Sequence, residues 1–171
     1  KVVNNTTKYL KNHITINQGS DVGIEPGMAV ISTIGAVGKV KSVSKHYSVV
    51  LSILNPDAQI SSTIKRTNSF GTAQWDGTDP RYVNLLYIPR HVKPLLGDSV
   101  VTSGYNAVFP EGILVGVISE VVLSEEAPFY DIKVELAQDF SRLSFVEVVR
   151  SNMKKELDSL KVSAGAEEGI E

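Results

Sequence analysis

The chain has 171 residues, of which 42% are hydrophobic and 21% are charged, a composition typical of a globular protein with a well-formed core. It contains no cysteine, which excludes disulfides, thiolate metal sites and a cysteine nucleophile. Lys and Arg outnumber Asp and Glu by 11 to 6 in residues 1–100, whereas residues 101–171 carry 6 against 13. This asymmetry favours charge-complementary protein contacts over nucleic-acid binding.

Short runs of Val, Ile and Thr, bounded by Gly, Pro, Asn and Asp, predict β-strands along most of the chain. Residues 48–54 are apolar almost throughout, which is typical of a strand buried on both faces. Residues 59–66 alternate weakly between apolar and polar side chains. The alternation is regular in residues 129–136, which predicts a half-buried strand with a solvated outer face. The predicted fold class is therefore all-β.

Two stretches, residues 26–54 and 96–136, share one order of features. Each runs from a glycine through a Val-containing strand, a Gly-rich turn, a second strand near a Val-Gly pair and a polar loop to a final strand. The matched residues are Gly27 with Gly97, Val30 with Val100, and Gly38 with Gly116. Because glycines permit the bends and close approaches that let a short sheet curl closed, the repeat predicts two small β-barrel-like domains. The glycines with a predicted structural role are Gly27, Gly38, Gly97, Gly104, Gly112 and Gly116.

The domain boundaries follow from the two modules and the ends of the chain. We expect the last strand, near residues 145–149, to return to the module that contains the first strand, because both chain ends should point toward one anchor. The first β-domain is then predicted to be discontinuous, comprising residues 1–56 plus 140–150. Residues 57–139 would form a second β-domain inserted into the first.

The segment after the last strand, residues 151–171, has the only helical pattern in the chain. Met153, Leu157 and Leu160 recur at helical spacing, and Ser151 is an acceptable N-cap, which predicts a short helix. The final nine residues have little to bury, so we expect a flexible, disordered tail.

The sequence Gly97-Asp98-Ser99 resembles the nucleophile motif of trypsin-like hydrolases, which also contain two β-barrels. Here the serine is followed by the β-branched run VVT, which predicts a strand entry and not an oxyanion hole. Asp98 is then expected to be an ordinary turn residue. The three histidines lack the spacing of a metal site, and no phosphate-binding glycine motif occurs. We predict no catalytic residue, metal or cofactor, and keep the double-barrel hydrolase as the alternative.

Aromatic side chains are the other candidates for function. Trp75 precedes a turn and is expected in the core, as most aromatic residues of an all-β protein are. Tyr105 and Phe109 lie in the long turn of the second module, where no alternation forces them inward. They are predicted partner contacts, with Pro110 stiffening the turn. Tyr82 is a further candidate, and with Trp75 it leaves open a glycan-binding module.

Four motifs punctuate the chain: GIEPGMAV at residues 23–30, GAVGKV at residues 35–40, Asn55-Pro56, and GDSVVTSGYNAVFPEGILVG at residues 97–116. With the closing segment DFSRLSFVEVV, they resemble the rod shape-determining protein MreC family over roughly residues 1–150. The departures from the family pattern affect only the turns. They are Ala36, Asn55 and the pair Asn106-Ala107, which stands where a glycine is usual.

The resemblance implies a non-enzymatic role. Family members carry a cytoplasmic tail, one transmembrane helix and a coiled coil upstream of two β-domains, and a chain that begins at Lys1 would lack these parts. No apolar run here approaches the ~20 residues of a membrane span, so membrane contact is expected only through that upstream anchor. The β-domains would lie on the extracytoplasmic, periplasmic face of the cytoplasmic membrane. They would self-associate as a dimer or filament and bind penicillin-binding transpeptidases and other elongation-complex proteins, linking the cytoskeleton to peptidoglycan synthesis and so maintaining cell shape.

Overall fold

The computed structural model describes residues 1–165 and contains twelve β-strands, three short 3₁₀ turns and one α-helix. All the strand pairs are antiparallel. The strands are β1 (Val2–Asn5), β2 (His13–Ile16), β3 (Ala29–Ile31), β4 (Ala36–Val43), β5 (Ser48–Ser52), β6 (Gln59–Ile64), β7 (Ser69–Gln74), β8 (Tyr82–Leu86), β9 (Ser99–Thr102), β10 (Leu114–Val122), β11 (Asp131–Leu136) and β12 (Glu147–Val149), and the helix is α1 (Lys154–Ser163).

Six strands form an open, curled sheet in the order β1-β2-β5-β4-β3-β12. Its two edges, β1 and the segment before β12, approach each other closely enough for the Val2 amide to donate to the Ser144 carbonyl at 2.9 Å. The Asn5 side-chain amide donates to the Phe140 carbonyl at 2.6 Å, which ties β1 to the segment that leads into β12. The sheet is therefore a half-barrel whose gap is bridged by single hydrogen bonds.

The other six strands form a closed barrel in the order β10-β11-β8-β7-β6-β9, in which β9 pairs with both β6 and β10. The prediction of an all-β protein with two barrel-like modules and a short C-terminal helix is confirmed. The core runs through both modules and includes Leu54, Leu85 and Val100, each completely buried. Trp75, predicted to be in the core, is 2% exposed.

Strand β12 lies beside β3, with Val148 opposite Val30, so the end of the β region joins the first sheet. Strands β6 to β11 all belong to the barrel. We propose on this basis that the first domain comprises residues 1–56 with 140–150, and that residues 57–139 form the inserted domain.

The predicted repeat has the same hydrogen-bond register in both modules. Val30 faces Gly38 across β3 and β4, and Val100 faces Gly116 across β9 and β10. Both ladders then shift register three residues after the glycine, at a bulge in β4 and in β10. The Gly27 amide donates to the carbonyl of Val40 at 2.8 Å, and the matching amide of Gly97 donates to Ile118 at 2.9 Å. The duplication therefore extends from sequence pattern to individual backbone bonds.

Both matched glycine pairs have identifiable steric reasons. Gly27 and Gly97 have φ of 91° and 87°, in the left-handed region that glycine occupies most readily. Gly38 and Gly116 instead lie where the next strand approaches closely. A side-chain carbon there would collide with the carbonyl oxygen of Leu51 or Glu135, respectively. The other two glycines predicted to be structural, Gly104 and Gly112, also have positive φ.

The structure differs from the sequence-based expectations at two positions. In β5, Val49 and Leu51 are only half-buried, because the outer face of the first sheet is open to solvent. At the helix, Met153 occupies the N-cap position and no side chain caps it, so Ser151 contributes only its carbonyl, which accepts from the Lys154 amide at 3.4 Å. The predicted tail lies mostly outside the described residues.

Candidate partner-binding surfaces

The long turn between β9 and β10 presents one of its two aromatic residues to solvent. Tyr105 is 68% exposed, whereas Phe109 is 8% exposed and belongs to the hydrophobic core. Phe109 turns inward because the turn folds back over the barrel, where the Thr102 hydroxyl donates to the Pro110 carbonyl at 2.6 Å. The structure corrects the placement of Phe109, which anchors the turn, and leaves Tyr105 and exposed Pro110 as accessible candidates.

The tip of this turn has an unusual backbone. Asn106 and Ala107 have φ of 58° and 54°, a left-handed conformation that costs a residue with a side chain roughly 1–2 kcal/mol. Helix α1 lies against the tip, and the Lys161 ammonium donates to the Asn106 side-chain oxygen at 2.7 Å. The turn is therefore held from both sides, by Phe109 inside the barrel and by α1 outside it.

Tyr82, the remaining predicted contact residue, lies at the start of β8 and is half-buried. Two cations stand over its ring: the guanidinium carbon of Arg81 is 5.3 Å and the ammonium of Lys133 5.7 Å from the ring centroid. A glycan-binding platform formed by Tyr82 and Trp75 would need both rings at the surface, and Trp75 is buried. The described residues around Tyr82 therefore form a charged patch, and Tyr82 does not pair with Trp75 at the surface.

The Gly97-Asp98-Ser99 motif lies at the entry of β9, as predicted, with Ser99 its first residue. Asp98 is not an ordinary turn residue. Its carboxylate accepts two hydrogen bonds from the Arg66 guanidinium, each 2.9 Å, and a third from the Leu95 amide at 2.9 Å. The hydrogen bonds from Arg66 are the main cause of a lowered Asp98 pKa. Asp98 therefore joins two loops at one end of the barrel.

That end of the barrel carries exposed apolar side chains that sequence reasoning missed. It is formed by three connections: residues 65–68, 87–98 and 123–130. Four apolar residues of these connections, together with Phe70 at the start of β7, are between 42% and 69% exposed. We call this set the barrel rim: Phe70, Tyr87, Leu95, Leu96 and Phe129. The rings of Tyr87 and Phe129 meet edge to face, with centroids 5.8 Å apart.

Hydrogen bonds from arginines fix the three connections to one another. Arg66 joins the first to the second through Asp98 and through the Lys93 carbonyl at 2.7 Å. Arg90 joins the second to the third, because its guanidinium donates to the carbonyls of Glu125 and Ala127 at 3.1 and 2.9 Å. The connections that carry most of the rim are thus linked to one another without a partner.

The rim was not predicted because most of its residues lie in loops, which have no hydrophobic periodicity. Leu95-Leu96 follows a proline in a polar connection, and Tyr87 follows the strand pattern of β8 as if it were part of the sheet. One feature of the sequence does indicate exposure: a Leu-Leu pair just before a turn glycine belongs to no strand or helix whose buried face could cover it. Only the closed barrel brings the rim residues to the same end.

Within residues 1–165, no three His, Asp or Glu side chains are grouped so as to hold a metal ion. His13 and His46 contact Lys41 and Asp21 instead, at 3.5 and 3.2 Å. No helix in the described part of the chain has the length and apolar character needed to span a membrane.

The family model "Rod shape-determining protein MreC, barrel core" matches residues 2–150. The chain belongs to the MreC family. It is 32% identical to the cell shape-determining protein MreC of Cereibacter sphaeroides over 139 residues, which cover 81% of this chain and 44% of that relative. The chain therefore spans less than half of the length of this MreC relative.

Solved MreC structures share the fold. The crystal structure of MreC from Pseudomonas aeruginosa has a TM-score of 0.82 at 23% identity, covering 88% of this chain and 96% of that one. A complex between penicillin-binding protein PBP2 and MreC from Helicobacter pylori matches with a TM-score of 0.62 at 19% identity, over 78% and 83% of the two chains. A structure of the major periplasmic domain from the cell shape-determining filament MreC matches at 0.67 and 21%, over 81% and 85%. At these identities the likeness concerns the fold.

Proposed function

We propose that this chain is a non-catalytic scaffold of the bacterial cell-elongation machinery, acting on the periplasmic side of the cytoplasmic membrane. It would bind a penicillin-binding transpeptidase and self-associate, and an upstream anchor would link it to the cytoskeleton. Family membership supports the shape-determining role, and the H. pylori complex supports the choice of a penicillin-binding partner. The single observation that carries the binding role is the preorganised apolar surface of the barrel rim.

The barrel rim has the properties of a docking surface. Binding energy at protein interfaces concentrates in a few residues, often aromatic, and the rim presents three exposed aromatic residues beside two exposed leucines. Because arginine bonds already order its loops, little conformational entropy is lost on binding. Tyr87 has a φ of 69°, an uncommon backbone conformation for an aromatic residue, and such strain clusters at functional sites. We propose that the transpeptidase docks here.

Tyr105 and Pro110 support a second contact. Tyr105 is more exposed than any aromatic residue of the rim, and the turn that carries it is anchored by Phe109. The turn lies at the barrel end nearer to the first sheet, so one flat partner surface would not reach both sites. We propose Tyr105 as a secondary contact, and Tyr82 as part of a separate charged patch with Arg81 and Lys133.

The test is the affinity of this chain for the periplasmic part of a class B penicillin-binding protein. The variant Tyr87→Ala/Phe129→Ala should lose ~2–4 kcal/mol of binding free energy, which is roughly a 30- to 1000-fold weaker Kd. The matched control is Tyr9→Ala/Tyr47→Ala, which removes two exposed aromatic residues from connections of the first sheet. The control should bind like the original chain, and all variants should keep the original thermal midpoint within a few degrees.

Two outcomes would redirect the proposal. Equal affinity of the rim variant and the control would place the interface away from the rim. A loss of affinity in Tyr105→Ala alone, with the rim variant unaffected, would make the long turn the primary contact. A serine-reactive fluorophosphonate that labels Ser99 would overturn the non-catalytic role, because Ser99 is expected to be an unreactive strand residue.

A further inference from the structure

We propose that copies of this chain associate through the outer faces of the two duplicated sheets, a basic face on one copy against an acidic face on the next. The inference rests on the proposed self-association and specifies the surfaces that carry it. Lys39 and Lys41 on β4 define the basic face. Glu120 on β10 and Asp131 and Glu135 on β11 define the acidic face.

The basic face is the outer side of the first sheet, where Lys39 lines a cleft together with Asp57 and Tyr105. Lys39 and Lys41 alternate with buried Gly38 and Val40 along β4, so both ammonium groups project to the same side. Their neighbours across the ladder include half-buried Leu51 of β5. The strands β1, β2, β4 and β5 contain no acidic residue, so nothing within these strands neutralises the two charges.

The acidic face occupies the matching position in the barrel. Glu135 faces Val117 across β11 and β10, as Leu51 faces Lys39 in the first sheet. Glu120, Asp131 and Glu135 are all exposed. The one basic residue of these two strands is Lys133, whose ammonium lies 3.7 Å from the Glu120 carboxylate and leaves a net negative face.

The charges of the whole modules agree with those of the faces. Residues 1–56 and 140–150 carry eight Lys/Arg and three Asp/Glu, a net charge of +5. Residues 57–139 carry six Lys/Arg and eleven Asp/Glu, a net charge of −5. A molecule with two halves of equal and opposite charge attracts a second copy when unlike halves meet and repels it when like halves meet.

The duplication also determines the kind of contact. Both faces are the outer sides of a hairpin with the same register and the same bulge, but their charge is opposite, so the contact joins two different surfaces. A contact between two different faces is heterologous, and each added copy leaves one basic and one acidic face free. Association of this kind continues from copy to copy and does not stop at a symmetric dimer.

The experiment measures self-association by sedimentation velocity at low and high salt. The original chain should associate at low ionic strength and dissociate as salt is raised, because exposed charges more than a Debye length apart are screened. Lys39→Glu/Lys41→Glu should weaken association roughly tenfold or more, and so should Glu120→Lys/Glu135→Lys. An equimolar mixture of the two variants should recover association. Both faces of the β4 variant are then acidic and both faces of the other variant are basic, so each variant can bind the other but not itself.

A control separates face charge from overall charge. Lys8→Glu/Lys45→Glu changes the net charge by the same amount as the β4 variant, but both lysines lie in connections, outside the sheet face. This control should associate like the original chain. Equal weakening in the control and the β4 variant would overturn the assignment to the face and leave only a general charge effect.

Further outcomes distinguish this inference from the proposed function. A chain that associates equally at both salt concentrations, with both reversed variants unaffected, would retain self-association and overturn these faces as its site. A chain that stays monomeric under every condition would overturn self-association itself. If the reversed variants instead lose affinity for the transpeptidase while the chain remains monomeric, the faces belong to that partner and the inference is wrong.

Discussion

The two copies of the duplicated module share a ladder and differ in their connections. The turn between β3 and β4 spans residues 32–35, whereas the matching turn between β9 and β10 spans residues 103–113. The turn between β4 and β5 covers residues 44–47, and its counterpart in the barrel covers residues 123–130. Backbone hydrogen bonds and the close approach of neighbouring strands constrain the ladder, so it is the same in both copies. The connections are free to lengthen, and in the barrel they form the candidate contact surfaces.

The largest expected difference between the copies is in the turn after the first repeat strand. Phe109→Ala should reduce the free energy of unfolding by about 3–5 kcal/mol, because a buried aromatic ring leaves a cavity. Ile34 occupies the corresponding turn of the first sheet and is 53% exposed, so Ile34→Ala should cost no more than about 0.5 kcal/mol. Urea unfolding of both variants measures the difference. Similar small losses would show that the long turn packs loosely.

Substitutions at Gly38 and Gly116 test the strand ladder that the two copies share. Gly38→Val and Gly116→Val should each cost about 2–3 kcal/mol, beyond the ~1 kcal/mol of simple propensity, because the new side chain meets a neighbouring carbonyl oxygen. Ser42→Val and Ser119→Val, on the exposed side of the same strands, should change stability by less than about 0.5 kcal/mol. Thermal unfolding separates the two sets. Near-neutral effects of both glycine changes would mean that the repeat is compositional only.

The ion pair at Asp98 exists in only one copy. In the first module Met28 takes its place, and both residues accept the amide of the following strand through their carbonyls. Asp98→Asn should cost about 1.5–3 kcal/mol near neutral pH, because the hydrogen bonds from a charged donor are weakened. Met28→Leu, a change of similar volume in the first module, should cost less than about 1.5 kcal/mol.

The dependence of this effect on pH has a definite sign. The Arg66 hydrogen bonds lower the Asp98 pKa, so the ion pair contributes fully above the unfolded value of about 3.9 and is lost as pH falls through the lower folded value. The stability difference between the original chain and Asp98→Asn should therefore be constant above about pH 5 and shrink in more acidic solution. A difference that grows on acidification would contradict the assigned ion pair.

The smallest expected effect concerns the strained tip of the long turn. Ala107→Gly should stabilise the protein by about 0.5–1 kcal/mol, because glycine relieves the left-handed conformation of an alanine, less its own entropic cost. Ala127→Gly, in another barrel connection but at negative φ, should not stabilise it. Chemical unfolding resolves the two changes. Destabilisation by Ala107→Gly would indicate that the methyl group packs usefully against α1.

The strands and their register were predictable from the sequence, whereas the loop surfaces were not, and both outcomes have the same physical reason. Periodicity and matched glycines report on strands and their register, so β11 and the Gly38–Gly116 equivalence were predictable. A loop has no period, so nothing in the sequence indicates that Phe109 points inward while Tyr105 points outward. The Asp98–Arg66 pair is 32 residues apart and becomes visible only when the barrel closes.

The proposed function requires that a transpeptidase contacts the barrel rim. Hydrogen–deuterium exchange of this chain, with and without a class B penicillin-binding protein, tests that claim directly because it monitors every backbone amide at once. We expect protection in residues 87–98 and 123–130, weaker protection near Tyr105, and none in the turn at residues 44–47. Protection confined to that turn or to the first sheet, with the rim unchanged, would contradict the account.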